Sequence, residues 1–201
     1  EIAKKFDLKI ISIEDLIKYR IANETLIEKV LDVHMPTVFG DFELHAFKDK
    51  NSDQDHLALV KGTWSKDESI LVRVHSSCLT GDILGSCRCD CGDQLHKAME
   101  MIEKEGKGVI IYMNQEGRGI GLINKLKAYK IQDKGVNTAD ANTHLGLEID
   151  AREYDIAIQI MNDLGIKKVK LLTNNPDKIE AIENSDIEIE KRIPLVIPPK
   201  K

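Results

Sequence analysis

All four cysteines of this 201-residue chain fall between residues 78 and 91, in Cys78-Leu-Thr-Gly-Asp-Ile-Leu-Gly-Ser-Cys-Arg-Cys-Asp-Cys91. Whatever fold the chain adopts must bring that stretch to one point and hold it there. Cys87, Cys89 and Cys91 alternate and lie too close to pair comfortably with one another, so metal ligation is favoured over a disulfide framework. Thiolates gathered in one loop are held most often by zinc, and free thiols imply a reducing, cytoplasmic setting. A structural zinc site closes on four protein ligands, whereas a catalytic one keeps a position for water. Four sulfurs allow either. The approach, Arg73-Val-His-Ser-Ser77, is charged and rich in hydroxyls, Thr80, Asp90 and Asp93 lie in or beside the loop, and Gln94 follows. A structural knuckle has no need of such groups, which favours the open site.

The rest of the chain frames that loop. Hydrophobic residues make up 42% and charged residues 31%, the balance of a globular domain. A net charge of -5 argues against a general nucleic-acid binder. No apolar run approaches the roughly 18 residues of a membrane span, and no signal peptide opens the chain. Glu1 stands where Met would open a natural chain, which points to a piece of a longer protein. Residues 1–20 contain a plausible helix start at Ser12 and Asp15 but are too few to bury an apolar face. They read as the tail of something upstream, with 21–33 as a linker.

From Val38 to His75 the pattern is strand-like. The cysteine loop follows, then a helix over about 93–105 with Leu95, Ala98, Met99 and Ile102 on one stripe and Gly106 as its stop. Residues 109–113 form a continuous apolar run, that of a buried strand. After it come a glycine-rich turn and a helix carrying Ile123, Leu126 and Ile131. A helix over about 152–164, a strand at 169–173, a helix through about Ile182 and an edge strand at 187–193 complete the series. Strands first and βα units afterwards predict a single α+β, or mixed α/β, domain around a central sheet.

Four further features could carry chemistry. In Glu116-Gly-Arg-Gly-Ile-Gly121, glycines ahead of a helix let backbone N–H groups approach a phosphate, although an ordinary tight turn reads the same way. Arg73, Arg118, Arg152 and Lys178 are four cations from separate segments. Singly each reads as solvated surface, and together they suit a triphosphate with Mg2+. Lys125 and Lys127 read as the exposed face of a helix. Asp150, just ahead of the helix expected at about 152, is by default an N-cap. By default, too, Tyr129 is a core or surface tyrosine, and Thr138 and Thr173 are loop and strand-end residues. Gln94 offers both donor and acceptor to a base edge. Nothing in the spacing of His75, His96 or His144 makes them metal ligands.

Four segments carry a close resemblance: Arg73-Val-His-Ser-Ser-Cys-Leu-Thr-Gly-Asp82, Arg88-Cys-Asp-Cys-Gly92, Gln115-Glu-Gly-Arg-Gly-Ile-Gly-Leu122 and Leu171-Leu-Thr-Asn-Asn-Pro176. They resemble the signature segments of GTP cyclohydrolase II, in order, over roughly residues 30 to 197. The resemblance implies zinc ligands at Cys78, Cys89 and Cys91, with Cys87 a bystander. It implies nucleotide contacts at Arg73, Val74, His75, Ser76, Ser77, Gln94, Glu116, Gly117, Arg118, Thr138, Thr173 and Lys178. Asp150 would be a proton acceptor, Arg152 a nucleophile toward the α-phosphorus, and Tyr129 a proton donor or orienting group. The implied reaction opens the imidazole ring of GTP with zinc-activated water. It releases formate and pyrophosphate and leaves 2,5-diamino-6-(5-phosphoribosylamino)pyrimidin-4(3H)-one, in the first step of riboflavin synthesis. Mg2+ would accompany the triphosphate, and family members are typically homodimers. Residues 1–20 resemble the C-terminal end of 3,4-dihydroxy-2-butanone 4-phosphate synthase, which implies a bifunctional chain. A catalytic domain would then span 34–197 and a tail 198–201. Two rivals remain: a catalytically silent GTP-binding regulatory module and a structural zinc domain closed by all four cysteines.

Overall fold

The chain is described by a computed structural model over residues 1–198; residues 199–201, most of the expected tail, lie outside the described residues. Two short helices come first, α1 (Ile2–Lys5) and α2 (Ile13–Asn23). Ser12 caps α2 as its sequence suggests: its Oγ accepts from Asp15 N at 3.0 Å, and Ser12 N donates back to the Asp15 carboxylate. The apolar residues of this region, such as Ile10 and Ile13, stay exposed.

The strands β1 (Ile27–Thr37), β2 (Gly40–Asp49), β3 (Asp55–Lys61) and β4 (Ser69–Ser76) follow, and then one π-helical turn at Leu79–Ile83. The second half is α3 (Cys91–Glu105), β5 (Gly108–Met113), α4 (Leu122–Gln132), α5 (Thr138–His144), α6 (Asp155–Asp163), β6 (Lys168–Leu172), α7 (Pro176–Glu183) and β7 (Glu188–Ile193). The mixed α/β architecture is the one expected. Three boundaries differ. Residues 27–33, read as linker, form the first half of β1, so the sheet begins ahead of residue 34. The helix expected at 152 starts at Asp155, and α3 starts at Cys91 rather than Asp93.

Among the described residues, seven strands join one sheet in the order β1-β2-β3-β5-β4-β6-β7. The β1-β2-β3-β5 part is antiparallel, and β5, β4, β6 and β7 are parallel. Alternation along β4 splits the core between two faces. Val72 and Val74 pack with Ile111, Ile160 and Leu171 beneath α6 and α7, while Leu71 packs with Phe42, Ile102, Ile110 and Leu172 beneath α3. From β4 the chain passes to β5 on one side, and from β5 it then crosses to β6 on the other side of β4, so the direction of winding reverses there. A crevice opens at such a switch point in a parallel sheet. Among the described residues no helix is long and apolar enough to cross a membrane.

Candidate active site

A cavity of about 720 Å³ lies at that switch point, bordered by the end of β4, the cysteine loop, the glycine-rich turn, the Asp150–Arg152 loop and the start of α7. Cys78 is the second residue after β4, and Cys91 opens α3, so two rigid elements fix the ends of the loop. The Sγ atoms of Cys78, Cys89 and Cys91 all lie within 4.8 Å of one another, with Cys78 and Cys89 3.6 Å apart. Tetrahedral zinc with Zn–S bonds of about 2.3 Å needs sulfurs about 3.8 Å apart. Cys87 is exposed, and it does not join this group.

Two glycines make the convergence possible. A Cβ at Gly81 would sit 2.8 Å from Cys89 Sγ, 3.0 Å from Cys91 Cβ and 3.1 Å from Cys78 Sγ. A Cβ at Gly92 would strike the Gly81 carbonyl oxygen at 2.3 Å. Hydrogen bonding with Cys91, helped by Lys125 and Thr80, pulls the Cys78 thiol down to about 4 against the opposing effect of burial. The same contact with Cys78, together with burial, pushes Cys91 far up. Three thiolates this close repel one another, and a cation among them relieves that repulsion. Donor set, spacing and glycine cradle all fit zinc.

Lys125 departs from expectation. Instead of lying on an exposed helix face, its Nζ donates to Cys78 Sγ at 3.0 Å, Thr80 Oγ1 at 2.8 Å and Glu116 Oε1 at 2.8 Å. The helix that carries it follows the glycine turn directly, so its first turn faces back toward the cysteines. Lys127 is exposed, as read.

The floor of the cavity is cationic. Arg73, 5% exposed, donates to the Leu172 carbonyl at 3.0 Å and to Gln94 Oε1 at 2.6 Å. Lys178, 4% exposed, donates to the Val74 carbonyl at 2.8 Å. Burial and then the neighbouring Arg73 and Arg152 cations hold the Lys178 pKa well below its ordinary value. Such a cluster is relieved by an anion. Neither Arg73 nor Lys178 is the solvated surface charge that it reads as singly, whereas Arg118 is exposed. The Val74 side chain points into the core, and its backbone carbonyl takes the Lys178 hydrogen bond.

Several polar atoms at the end of β4 are buried without a partner among the described residues: Arg73 Nε, His75 Nδ1 and Ser76 Oγ. They are groups a ligand could satisfy. His75 Nε2 lies 3.2 Å from both Asp82 carboxylate oxygens, and that carboxylate also accepts from Tyr112 OH and Cys78 N, each at 2.9 Å. No signal in the sequence marked Asp82 and Tyr112 as supports. Ser77 Oγ accepts from Gln115 N at 3.1 Å. Thr173 is fully buried, and its hydroxyl accepts from Asn175 N at 3.0 Å.

The glycine turn and the Asp150–Arg152 loop are built as one piece. Gly119 has φ 86, and a Cβ there would meet the Ala151 carbonyl oxygen at 2.6 Å, so both backbone shape and space require glycine. Ala151 N donates to the Arg118 carbonyl at 3.0 Å. The Gln115 side chain donates to the Glu153 carbonyl at 2.7 Å and accepts from Glu153 N at 3.1 Å. Glu116 accepts from Leu79 N at 2.6 Å and Gly117 N at 3.0 Å, joining this turn to the cysteine loop.

Asp150 does not cap a helix, because α6 begins five residues later with Tyr154 as its N-cap. Instead its carboxylate accepts from Arg152 N at 3.1 Å and Nε at 2.8 Å, and it also contacts Arg152 Nη2. Burial raises the Asp150 pKa, but those hydrogen bonds outweigh it and the net shift is downward. Tyr129 places its hydroxyl 3.4 Å from Thr80 Oγ1, with Arg88 4.8 Å from its ring centre. Thr138 opens α5 and also borders the cavity.

Comparison with known proteins bears on the same segments. A family model described as GTP cyclohydrolase II matches residues 28–194. The chain is 59% identical over 198 residues to riboflavin biosynthesis protein RibBA of Cytophaga hutchinsonii, covering 98% of this chain and 49% of that protein. It is 54% identical over 200 residues to RibBA of Aquifex aeolicus, covering 99% of this chain and 49% of that one. The chain thus spans about half the length of the curated relatives it matches. Among solved structures, RibBX, a two domain 3,4-dihydroxy-2-butanone 4-phosphate synthase from A. baumannii, superposes with a TM-score of 0.54 at 29% identity, over 96% of this chain and 47% of that chain. The matched span takes in the cysteine loop, the glycine turn and the Asp150–Arg152 loop alike, and the chain belongs to the GTP cyclohydrolase II family.

Proposed function

We propose that this chain hydrolyses GTP at the opening of riboflavin synthesis, releasing formate from the imidazole ring and pyrophosphate from the triphosphate. One observation carries the reading: three convergent thiols and a cluster of buried cations border a single cavity. Zinc held by Cys78, Cys89 and Cys91 would supply a Lewis acid that lowers the pKa of water to about 7. The purine end of the nucleotide then belongs beside the cysteines, where Glu116 and Tyr129 flank the metal centre. The phosphates belong over Arg73, Lys178 and Arg152, with Mg2+ sharing their charge.

Arg152 is held as a cation by Asp150, which suits it first to phosphate binding. For attack on the α-phosphorus, an Arg152 nitrogen would form the N–P bond as the bond to pyrophosphate breaks. Asp150, already in contact, would accept the proton lost, and water would later cleave the N–P bond. The residues at the end of β4 orient the substrate through their unpartnered polar atoms, and Gln94, braced by Arg73, faces the base.

The same reading extends to a cytoplasmic homodimer that forms part of a longer bifunctional chain, with residues 1–20 as the end of an upstream synthase domain. That this chain spans about half of its RibBA relatives, and that apolar residues of α1 and α2 face solvent, supports the longer chain. A four-cysteine structural site is disfavoured by the exposure of Cys87. The test supplies GTP and Mg2+ and measures formate and pyrophosphate in one sample. Matched release of both is expected, with pyrophosphate alone from Cys89→Ala. Wild-type protein that holds zinc and releases neither would overturn the assignment.

A further inference from the structure

We propose that Lys125 is a positioning residue that couples the metal-binding thiols to Glu116, so that metal retention and nucleotide recognition depend on one ammonium group. The proposal rests on the metal centre inferred above. An ammonium has three donors, and Lys125 faces three acceptors from three separate segments: Cys78 Sγ at 3.0 Å, Thr80 Oγ1 at 2.8 Å and Glu116 Oε1 at 2.8 Å. Its donors are therefore fully used inside the protein. Its side chain is 12% exposed and that of Glu116 14%, so little solvent screens these contacts.

The arrangement closes on itself. The second oxygen of Glu116 accepts from Leu79 N at 2.6 Å, one residue beyond Cys78. Thr80 Oγ1 lies 3.6 Å from Cys78 Sγ. Lys125 and Glu116 thus grip Cys78, Leu79 and Thr80 from two sides. Charge explains why a cation belongs there. Three thiolates around a divalent ion leave one net negative charge, and Glu116 nearby adds another. Without the ammonium, the carboxylate and the sulfurs would repel each other across the space that Lys125 now fills. Groups that hold a metal's ligands in place are commonly worth about 10–100-fold in metal affinity or activity.

The test compares zinc release to a chromogenic chelator from wild-type protein, Lys125→Met and Lys127→Met, with thermal melting as the fold check. Cobalt-substituted samples report the thiolate-to-metal absorption. Lys125→Met keeps the alkyl stem and removes every donor. It is expected to release zinc about 10–100-fold faster, shift the cobalt band and raise the KM for GTP, while Lys127→Met behaves as wild type. If Lys125→Met melts too early to load, Lys125→Arg replaces it. That variant keeps the charge, but a planar fork cannot aim at three convergent acceptors, so faster release is again expected. Wild-type release and an unchanged cobalt band in the folded variant would overturn the role of Lys125 alone. Wild-type protein that takes up no metal would overturn the metal centre and this proposal with it.

Discussion

Gly81→Ala puts the cysteine cradle to a quantitative test. The backbone at Gly81 is not left-handed, so alanine is conformationally acceptable and in a helical turn would be favoured by about 0.5–1 kcal/mol. Space decides instead. The new Cβ would lie 2.8 Å from Cys89 Sγ and 3.0 Å from Cys91 Cβ, against an ordinary contact of about 3.5 Å. Cys89 Sγ must then move by about 0.7 Å, whereas metal–ligand distances tolerate about 0.2 Å. In the metal-free protein rotation of Cys89 relieves the shortest contact, and the approaches to Cys91 Cβ and Cys78 Sγ ask for smaller shifts, so the urea midpoint should fall only modestly. In the loaded protein the thiol is pinned, and zinc affinity should fall at least about 100-fold, equivalent to about 2.7 kcal/mol. Chelator competition and urea titration of both forms check this. Full zinc affinity in Gly81→Ala would refute the argument that the three sulfurs close around this glycine.

Asp150→Asn removes the carboxylate from a half-buried guanidinium. Turnover should fall about 100-fold, the scale of a lost proton-transfer group, with a smaller change in KM; unchanged pyrophosphate release would contradict the pairing's role. Cys87→Ser should keep both zinc content and turnover, since that thiol is exposed and apart from the others; zinc loss by elemental analysis would count against the three-sulfur site. His56 is buried and its Nδ1 accepts from Asn114 N at 3.1 Å, just ahead of the glycine turn. Burial, opposed by Asp49 and Asp55, lowers its pKa below the ordinary 6.5. Its contribution to stability is thus present above about 6.5 and is lost as pH falls below that value toward the folded pKa. Urea midpoints from about pH 8 to about pH 5 should fall more steeply for wild type than for His56→Gln, and equal slopes would contradict this.

Much of this was legible because burial and chemistry leave local marks. The continuous apolar run at 109–113 read as a buried strand, 169–173 read as another strand, and the stripe from Leu95 to Ile102 marked the helix α3 that packs on the sheet. The cysteine spacing pointed to a metal, and the family resemblance separated Cys87 from the other three. Strand β1 was missed although Leu31, Val33 and Met35 alternate with Asp32 and His34; at the sheet edge every residue from Glu28 to His34 is exposed, so that alternation meets no core. Helix α5 has no apolar stripe either, and only the Asn137 cap, accepting from Asp140 N at 2.9 Å, announces it. Charged side chains misled in both directions. Arg73, Lys178 and Lys125 read singly as solvated, yet partners distant in sequence bury them. Asp150 read as a cap because its tie to Arg152 is a matter of side-chain geometry, which periodicity does not report.

The central claim is that three sulfurs hold a metal ion whose remaining position faces the cavity. X-ray absorption at the zinc edge of the loaded protein measures this directly. Three sulfurs at about 2.3 Å with one oxygen or nitrogen scatterer at about 2.0–2.2 Å is the expected shell. A shell of four sulfurs would contradict it.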